Sequence, residues 1–376
     1  MPAMLSSPPD HPGELIERIR AAAADRTPLR LQGGGTKAFL AEPAPGTLLS
    51  TTGYAGIISH EPSELVVTVK AGTPLAELES VLAAAGQSLA FEPPHFGPGA
   101  TVGGAVAAGL AGPARAAVGG ARDYVLGVRL INGRGELLTF GGQVMKNVAG
   151  YDVSRALAGS RGQLGVMAEV SLKVLPVAPA EATLVFPLAQ HDALEQLHRW
   201  GGQPLPLNAS CWVRDDTAPG APELLFVRLR GAVAAVDAAI ARMSREAGGQ
   251  RIDDAQARAD WAACREQTLP FFNPPSPAHG LWRVSVPQTA PVLNLPGPVL
   301  VEWQGAQRWC WAPVDQADAI RSVARAAGGH ASLFRAPAQG AAGVPREDRP
   351  DPAIAAIQAR LRAEFDPAGL FAPHAG

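Results

Sequence analysis

The chain is poor in cysteine: Cys211, Cys264 and Cys310 lie far apart and form no Cys-x-x-Cys pair. An iron–sulfur cluster or structural zinc held by this chain is therefore not expected, and the odd count argues against a secreted disulfide framework. Net charge is nearly absent as well, -2 from 32 basic and 34 acidic residues, so the electrostatic footprint of a nucleic-acid binder is missing. The first ten residues, Met-Pro-Ala-Met-Leu-Ser-Ser-Pro-Pro-Asp, have no basic start and no apolar run, which excludes a secretory signal there. The longest uncharged apolar-looking stretch, residues 97–114, is broken by Pro98, Pro113 and several glycines. It falls short of the roughly 20 residues that a spanning helix needs. These absences lead us to expect a cytoplasmic protein without direct membrane insertion, and 376 residues suit two domains or one interrupted domain.

What the chain has instead is glycine, gathered in loops beside regular elements. Gly159, Gly162 and Gly165 recur every third residue around Ser160 and Arg161. Such a density lets backbone N–H groups approach a ligand with no Cβ in the way. Val170, Leu172 and Val174 then alternate with Glu169, Ser171 and Lys173, the period of a strand with one buried face. Earlier, a short apolar strand, Leu29-Arg30-Leu31, runs into Gln32-Gly33-Gly34-Gly35-Thr36-Lys37, which matches neither Gly-x-Gly-x-x-Gly nor a Walker sequence. A third segment opens on a Pro- and Gly-rich loop containing Pro93 and His95 and leads to Thr101-Val102-Gly103-Gly104 at the start of a small-residue helix. That helix start is expected to offer a hydroxyl and backbone N–H groups to a phosphate. Between these loops, residues 65–69 read as a strand, Thr73 as an N-cap with Pro74 at the first helical position, and Leu75, Leu78, Val81, Leu82 and Ala85 as the buried face of a helix ending at Gly86. Residues 126–140 read as a hairpin turning at Asn132-Gly133-Arg134-Gly135. Glycine ledges feeding rigid strands suit a flat, phosphate-bearing cofactor.

Lys146-Asn147-Val148-Ala149-Gly150-Tyr151-Asp152, followed by Gly159-Ser160-Arg161-Gly162-Gln163-Leu164-Gly165-Val166, resembles a segment of the FAD-binding domain in vanillyl-alcohol oxidase type flavoproteins. Within that group the chain resembles the 2-hydroxy acid dehydrogenase branch, which includes the FAD-binding subunits of bacterial glycolate oxidase. Gly33-Gly34-Gly35-Thr36 is similar to the family's first pyrophosphate loop, Thr101-Val102-Gly103-Gly104 to its Thr-Ile-Gly-Gly, Arg122-Asp123 to its Arg-Asp-x-Val-Leu-Gly, and residues 365–373 to its closing Phe-Asp-Pro-x-Gly-x-Phe-Asn-Pro. Ala372 stands where that last pattern has asparagine. The resemblance implies an α+β protein: a PCMH-type two-subdomain FAD-binding domain and a ferredoxin-like α+β cap domain. It implies FAD, bound non-covalently because the first loop has no histidine. The implied cofactor-binding residues are Gly33, Gly34, Gly35, Thr36, Pro93, Thr101, Val102, Gly103, Gly104, Arg122, Asp123, Gly159, Gly162, Gly165 and Val166.

From Val177-Ala178-Pro179 onward the glycine loops cease, and the pattern becomes strand-helix-strand-strand-helix-strand, the order of a ferredoxin-like layer with helices on one face. The expected division is residues 1–178 for the FAD domain, 179–335 for the cap and 336–376 for a segment returning to the first domain, with Ile354, Ile357, Leu361 and Phe365 as a helical stripe. Family members that oxidise 2-hydroxy acids alone carry a His-x-Gly-Asp-Gly-Asn-x-His type motif, which this sequence lacks. His95, His330 and Arg335 are weak catalytic candidates, too few to assemble a metal site. The resemblance thus implies a subunit working beside a second FAD-binding glycolate oxidase subunit and an iron–sulfur subunit. A small 2-hydroxy acid, glycolate, would be oxidised to glyoxylate mainly on the sister subunit, electrons would pass to a quinone-type acceptor, and attachment to the inner membrane would come only through partners. Two other readings stay open: a self-sufficient D-2-hydroxy acid (D-lactate) dehydrogenase, and a noncatalytic assembly subunit that keeps the flavin fold.

Overall fold

The computed structural model describes residues 11–41, 45–142, 152–339 and 343–371. Contacts divide the chain into two compact units, one of Met1–Leu110, Gly120–Val177 and Pro350–Ala375, the other chiefly of Ala111–Gly119 and Ala178–Arg349.

In the first unit, the helix Gly13–Asp25 buries Leu15, Ile16, Ile19 and Ala22, a 3.6-residue stripe. Strand β1 (Leu29–Gln32) pairs in parallel with β2 (Thr47–Ser50), and the Leu29 N–H donates to Leu370 O at 2.7 Å, so the end of the chain closes this edge. Then come β3 (Ile57–Glu61), β4 (Val66–Lys70), β5 (Gln87–Ser88), β6 (Val125–Ile131), β7 (Leu137–Gly141), β8 (Val166–Lys173) and β9 (Leu175–Pro176). Five of them form an antiparallel sheet ordered β3-β4-β8-β6-β7, while β5 pairs with β9. The hairpin expected over residues 126–140 is the β6–β7 pair.

Three local expectations need correction. β8 is not half-exposed: residues 166–172 are all buried. Its polar face can be buried because every group there has a partner, Ser171 and Thr68 joining hydroxyls at 2.9 Å, and Glu169 accepting from Tyr54 Oη at 2.9 Å and Arg129 at 2.7 Å. Thr73 is not the N-cap of Leu75–Ala84; its hydroxyl donates to Lys70 O at 2.6 Å, Pro74 takes the cap position, and Val81 and Ala85 face solvent. The helix Pro352–Phe365 forms as expected, capped by Asp351 on the Ala353 N–H at 2.8 Å, but Ile354, Ile357 and Leu361 are exposed.

The second unit holds β10 (Ala180–Pro187), β11 (Leu207–Arg214), β12 (Glu223–Gly231), β13 (Gln250–Arg251), β14 (His279–Ser285), β15 (Val299–Glu302), β16 (Gln307–Pro313) and β17 (His330–Arg335). All eight join one antiparallel sheet, ordered β13-β10-β12-β11-β15-β16-β14-β17. The first four strands, with helices Gln190–Gly201 and Val233–Ala247, have the ferredoxin-like order 4-1-3-2. The last four repeat that order from the opposite edge, with the helix Ala317–Ala326 before the fourth strand and no helix between the first and second. The cap is therefore two ferredoxin-like halves joined through β11 and β15, not one.

Helices do not keep to one face either. The helix Asp254–Glu266 lies on the other, where Trp261 Nε1 donates to Thr183 Oγ1 at 3.0 Å and the Cys264 thiol donates to Glu302 at 3.3 Å. Glu302 is buried there and also accepts from Trp309 Nε1 at 2.6 Å and from Gln307 Nε2 at 3.3 Å. Burial pushes its carboxyl above the usual range, and those donors oppose the shift. Arg308 is wholly buried on three backbone carbonyls, of Gly305, Ala290 and Pro291, and burial brings its pKa down to about 10. Among the described residues no helix is long and apolar enough to cross a membrane, and no three His, Cys, Asp or Glu side chains gather as metal ligands.

Candidate cofactor site

The first unit contains a cavity of about 420 Å³. One wall is β1 with the loop Gly33–Lys37, a second is Thr101 with the helix Val102–Ala108, and a third is the loop from Arg161 into the start of β8. Arg30, Lys37 and Arg161 line it, and no acidic residue does among the described residues. An acid-free enclosure with three cations favours an anion.

The glycines let these walls meet. A Cβ on Gly34 would lie 1.5 Å from Gly99 O, and one on Gly33 would lie 2.3 Å from Thr101 Oγ1. Backbone thus passes backbone at Gly34 and a hydroxyl at Gly33, where any side chain would separate the loops. Pairing of β1 stops at Gln32, and beyond it the N–H groups of Gly33, Gly34, Gly35 and Thr36 donate to no acceptor among the described residues. Four successive unsatisfied donors on a cavity wall are the kind of cradle a phosphate fills.

The helix start behaves differently from expectation. Val102 N–H donates to Thr73 O at 2.9 Å, Gly103 N–H to Ala71 O at 2.8 Å, and Gly104 N–H to Thr101 Oγ1 at 3.2 Å. Because these donors are already used, Gly103 and Gly104 contribute close approach and not hydrogen bonds. A Cβ on Gly103 would sit 2.6 Å from Ala71 Cβ.

Of the other expected residues, Gly162, Gly165 and Val166 line the cavity. Gly159 does not line it; its N–H donates to Val106 O at 3.0 Å, docking the third loop on the helix. Pro93 and Val102 are buried without lining the cavity. Arg122 and Asp123 stay outside it, an exposed pair 3.9 Å apart in which Asp123 also accepts the Gly120 N–H at 2.8 Å. His95 Nε2 is 2.9 Å from Glu79 Oε2, a structural pairing. In the second unit, His330 is exposed on the edge strand β17, while Arg335 at the far end of that strand donates to Gln267 Oε1 at 2.9 Å, its pKa lowered by burial. Residues 146–151 of the Lys-Asn-Val-Ala-Gly-Tyr motif, and Ala372, lie outside the described residues. Asp152 caps the short helix Val153–Leu157, accepting from Ser154 Oγ at 2.7 Å.

Sequence reading passed over Lys37, Arg161 and Phe371 as lining residues. Lys37 and Arg161 sit inside the glycine loops, so their charge in an otherwise small-residue run was the available signal. Phe371 falls in the closing motif of residues 365–373, but its place on the cavity wall depends on the pairing of Leu29 with Phe371 across most of the chain.

A family model described as an FAD binding domain matches residues 8–141. Glycolate oxidase subunit GlcE of Escherichia coli (strain K12) is 42% identical over 97% of this chain and 97% of its own length. Glycolate oxidase subunit GlcD of Bacillus subtilis (strain 168) is 28% identical over 50% of this chain and 40% of its own. Among solved structures, alkyldihydroxyacetonephosphate synthase superposes with a TM-score of 0.67 at 15% identity, covering 97% of this chain and 75% of that one, which establishes a shared PCMH-type fold. With the glycine-walled, cation-lined cavity, whose first two walls fall within residues 8–141, these likenesses place FAD as the cofactor, and the chain belongs to the family of FAD-dependent oxidoreductases represented by glycolate oxidase subunit GlcE.

Proposed function

We propose that this chain is an FAD-binding subunit of a glycolate oxidase complex, working with a second FAD-binding subunit and an iron–sulfur subunit. The 42% identity to GlcE along nearly the whole length of both proteins carries this reading. When bound, FAD supplies a hydride acceptor for the α-carbon of a 2-hydroxy acid and a route for electrons onward to an iron–sulfur chain and a quinone-type acceptor. The N–H groups of Gly33–Thr36, with Lys37, would hold the pyrophosphate. Leu31, Val166, Met167 and Phe371 would exclude water from a flat ring.

Oxidation of glycolate to glyoxylate would take place mainly on the sister subunit. A base is needed to accept the hydroxyl proton as the hydride leaves, and the candidates here do not supply it: His95 does not line the cavity, Arg335 is a guanidinium held by Gln267, and His330 and Arg335 stand at opposite ends of one strand. The test is anaerobic addition of glycolate to the FAD-loaded chain, alone and then with its partner subunits. An oxidised spectrum that bleaches only after the partners are added is expected. Bleaching by glycolate with the chain alone would place a complete substrate site here and favour a self-sufficient dehydrogenase.

A further inference from the structure

We propose that Arg30 is a specificity-determining residue that captures phosphorylated flavins, its guanidinium drawing the cofactor's phosphates to the cavity from solution; this rests on the FAD reading of the cavity. Arg30, Lys37 and Arg161 are the cations of the cavity wall, and they are not alike. Lys37 Nζ donates to His95 O at 3.2 Å and to Thr36 Oγ1 at 3.4 Å, and Arg161 also has a partner within the chain. Arg30 is exposed, and its side chain makes no hydrogen bond, ion pair or ring contact among the described residues. Its cross-strand neighbour on β2 is Leu48, which carries no charge.

The strand sets the direction of this charge. Leu29 is buried in the core, whereas Arg30 and Gln32 are exposed, with Arg30 and Gln32 sharing one face of β1. That face adjoins the first glycine loop, because a Cβ on Gly35 would lie 2.9 Å from Gln32 Nε2. Three residues of strand, about 10 Å, separate Arg30 from Gly33, where the run of N–H groups without acceptors begins. Those N–H groups act only at hydrogen-bond distance, whereas an exposed charge acts over a Debye length, about 30 Å at low salt and about 8 Å at physiological salt. Arg30 therefore gathers the anion, and the N–H groups of Gly33–Thr36 hold it. No acidic residue lines the cavity among the described residues to oppose the attraction.

The test is stopped-flow association of FAD, FMN and riboflavin, read by quenching of flavin fluorescence, with the wild-type chain, Arg30→Gln, Arg30→Glu and Arg30→Lys at low and high salt. One positive charge about 10 Å from a pyrophosphate changes the association rate about threefold at low salt, so Arg30→Gln should take up FAD about threefold more slowly and Arg30→Glu about tenfold more slowly. Both differences should vanish at high salt, and the dissociation rate should keep its wild-type value. FMN, whose phosphate carries a similar charge, should lose as much. Riboflavin, which has no phosphate, should associate with all four proteins at one rate, and Arg30→Lys should match the wild type with FAD. Unfolding midpoints should not move, because Arg30 is exposed and gives up no partner. Equal FAD association rates in the wild type and Arg30→Gln, a loss that riboflavin shares, or a loss confined to dissociation would overturn the proposal. If Arg30→Glu does not fold, Arg30→Gln answers the same question. A wild-type chain that takes up no flavin would overturn the reading of the cavity itself, and the proposal with it.

Discussion

The two units are built on opposite economies of side chain. In the first, function is approached by leaving side chains out: Gly34 meets the Gly99 carbonyl, Gly33 the Thr101 hydroxyl and Gly103 the Ala71 methyl with no room for a Cβ, and four N–H groups on the cavity wall donate to no acceptor among the described residues. In the second, large side chains fill a broad sheet. All seven tryptophans lie there, and polar groups such as Glu302 and Arg308 are sunk into the packing with their partners. A cavity that keeps unsatisfied donors gives up stability for binding, whereas an interior in which groups such as Glu302 and Arg308 are partnered gives up binding for rigidity.

The contrast can be broken experimentally, because tryptophan fluorescence reports the second unit and flavin signals report the first. Gly34→Val has the largest expected effect. Its side chain would collide with Gly99 O and push the first loop off the helix start, so measurable FAD uptake should be lost while the tryptophan unfolding transition stays in place. A shift of the tryptophan transition as large as the loss of binding would show that the units do not divide the work.

Glu302→Ala should do the reverse. It strands the indole N–H of Trp309 and the amide of Gln307, and should cost about 2–4 kcal/mol in urea unfolding followed by tryptophan fluorescence, with FAD affinity unchanged. Retention of full stability would mean that the cluster is incidental.

How legible each unit was in the sequence follows from the same contrast. Gly33–Thr36, Thr101–Gly104 and Gly159–Gly165 are contiguous runs whose chemistry is local, and the sequence placed the loops beside the right elements. It could not show that the donors at Val102, Gly103 and Gly104 are used by Thr73, Ala71 and Thr101, since that depends on how a remote turn packs. In the second unit, the first ferredoxin-like half was readable from its alternating elements. The second was not: residues 286–298 have no helix to complete the pattern, and the join between β11 and β15 is a pairing of strands far apart in sequence. The polar face of β8 misled for a related reason, because Glu169 and Ser171 look solvent-facing until Tyr54, Arg129 and Thr68 are brought to them.

Two smaller effects sharpen the comparison. Glu302 has a raised carboxyl pKa in the folded chain, so the folded state binds its proton more tightly than the unfolded state does. Its stabilising contribution is complete below the ordinary glutamate range of about 4.3 and is lost as pH rises through the folded value. Stability of the second unit should therefore decline across that window in the wild type and decline less in Glu302→Gln, as measured by urea midpoints at a series of pH values. Identical slopes in the two proteins would remove Glu302 as the cause. Arg122→Ala should change least: its exposed pairing with Asp123 is worth no more than about 0.5 kcal/mol, and neither FAD affinity nor the unfolding midpoint should move appreciably. A clear loss of FAD affinity would restore Arg122 to the cofactor site.

The most direct test of the central claim, that the first unit is built to hold FAD without a covalent link, is titration of the purified chain with FAD followed by acid precipitation. One FAD per chain, released entirely into the acid supernatant, is the predicted result. No uptake, or flavin that stays with the precipitated protein, would contradict it.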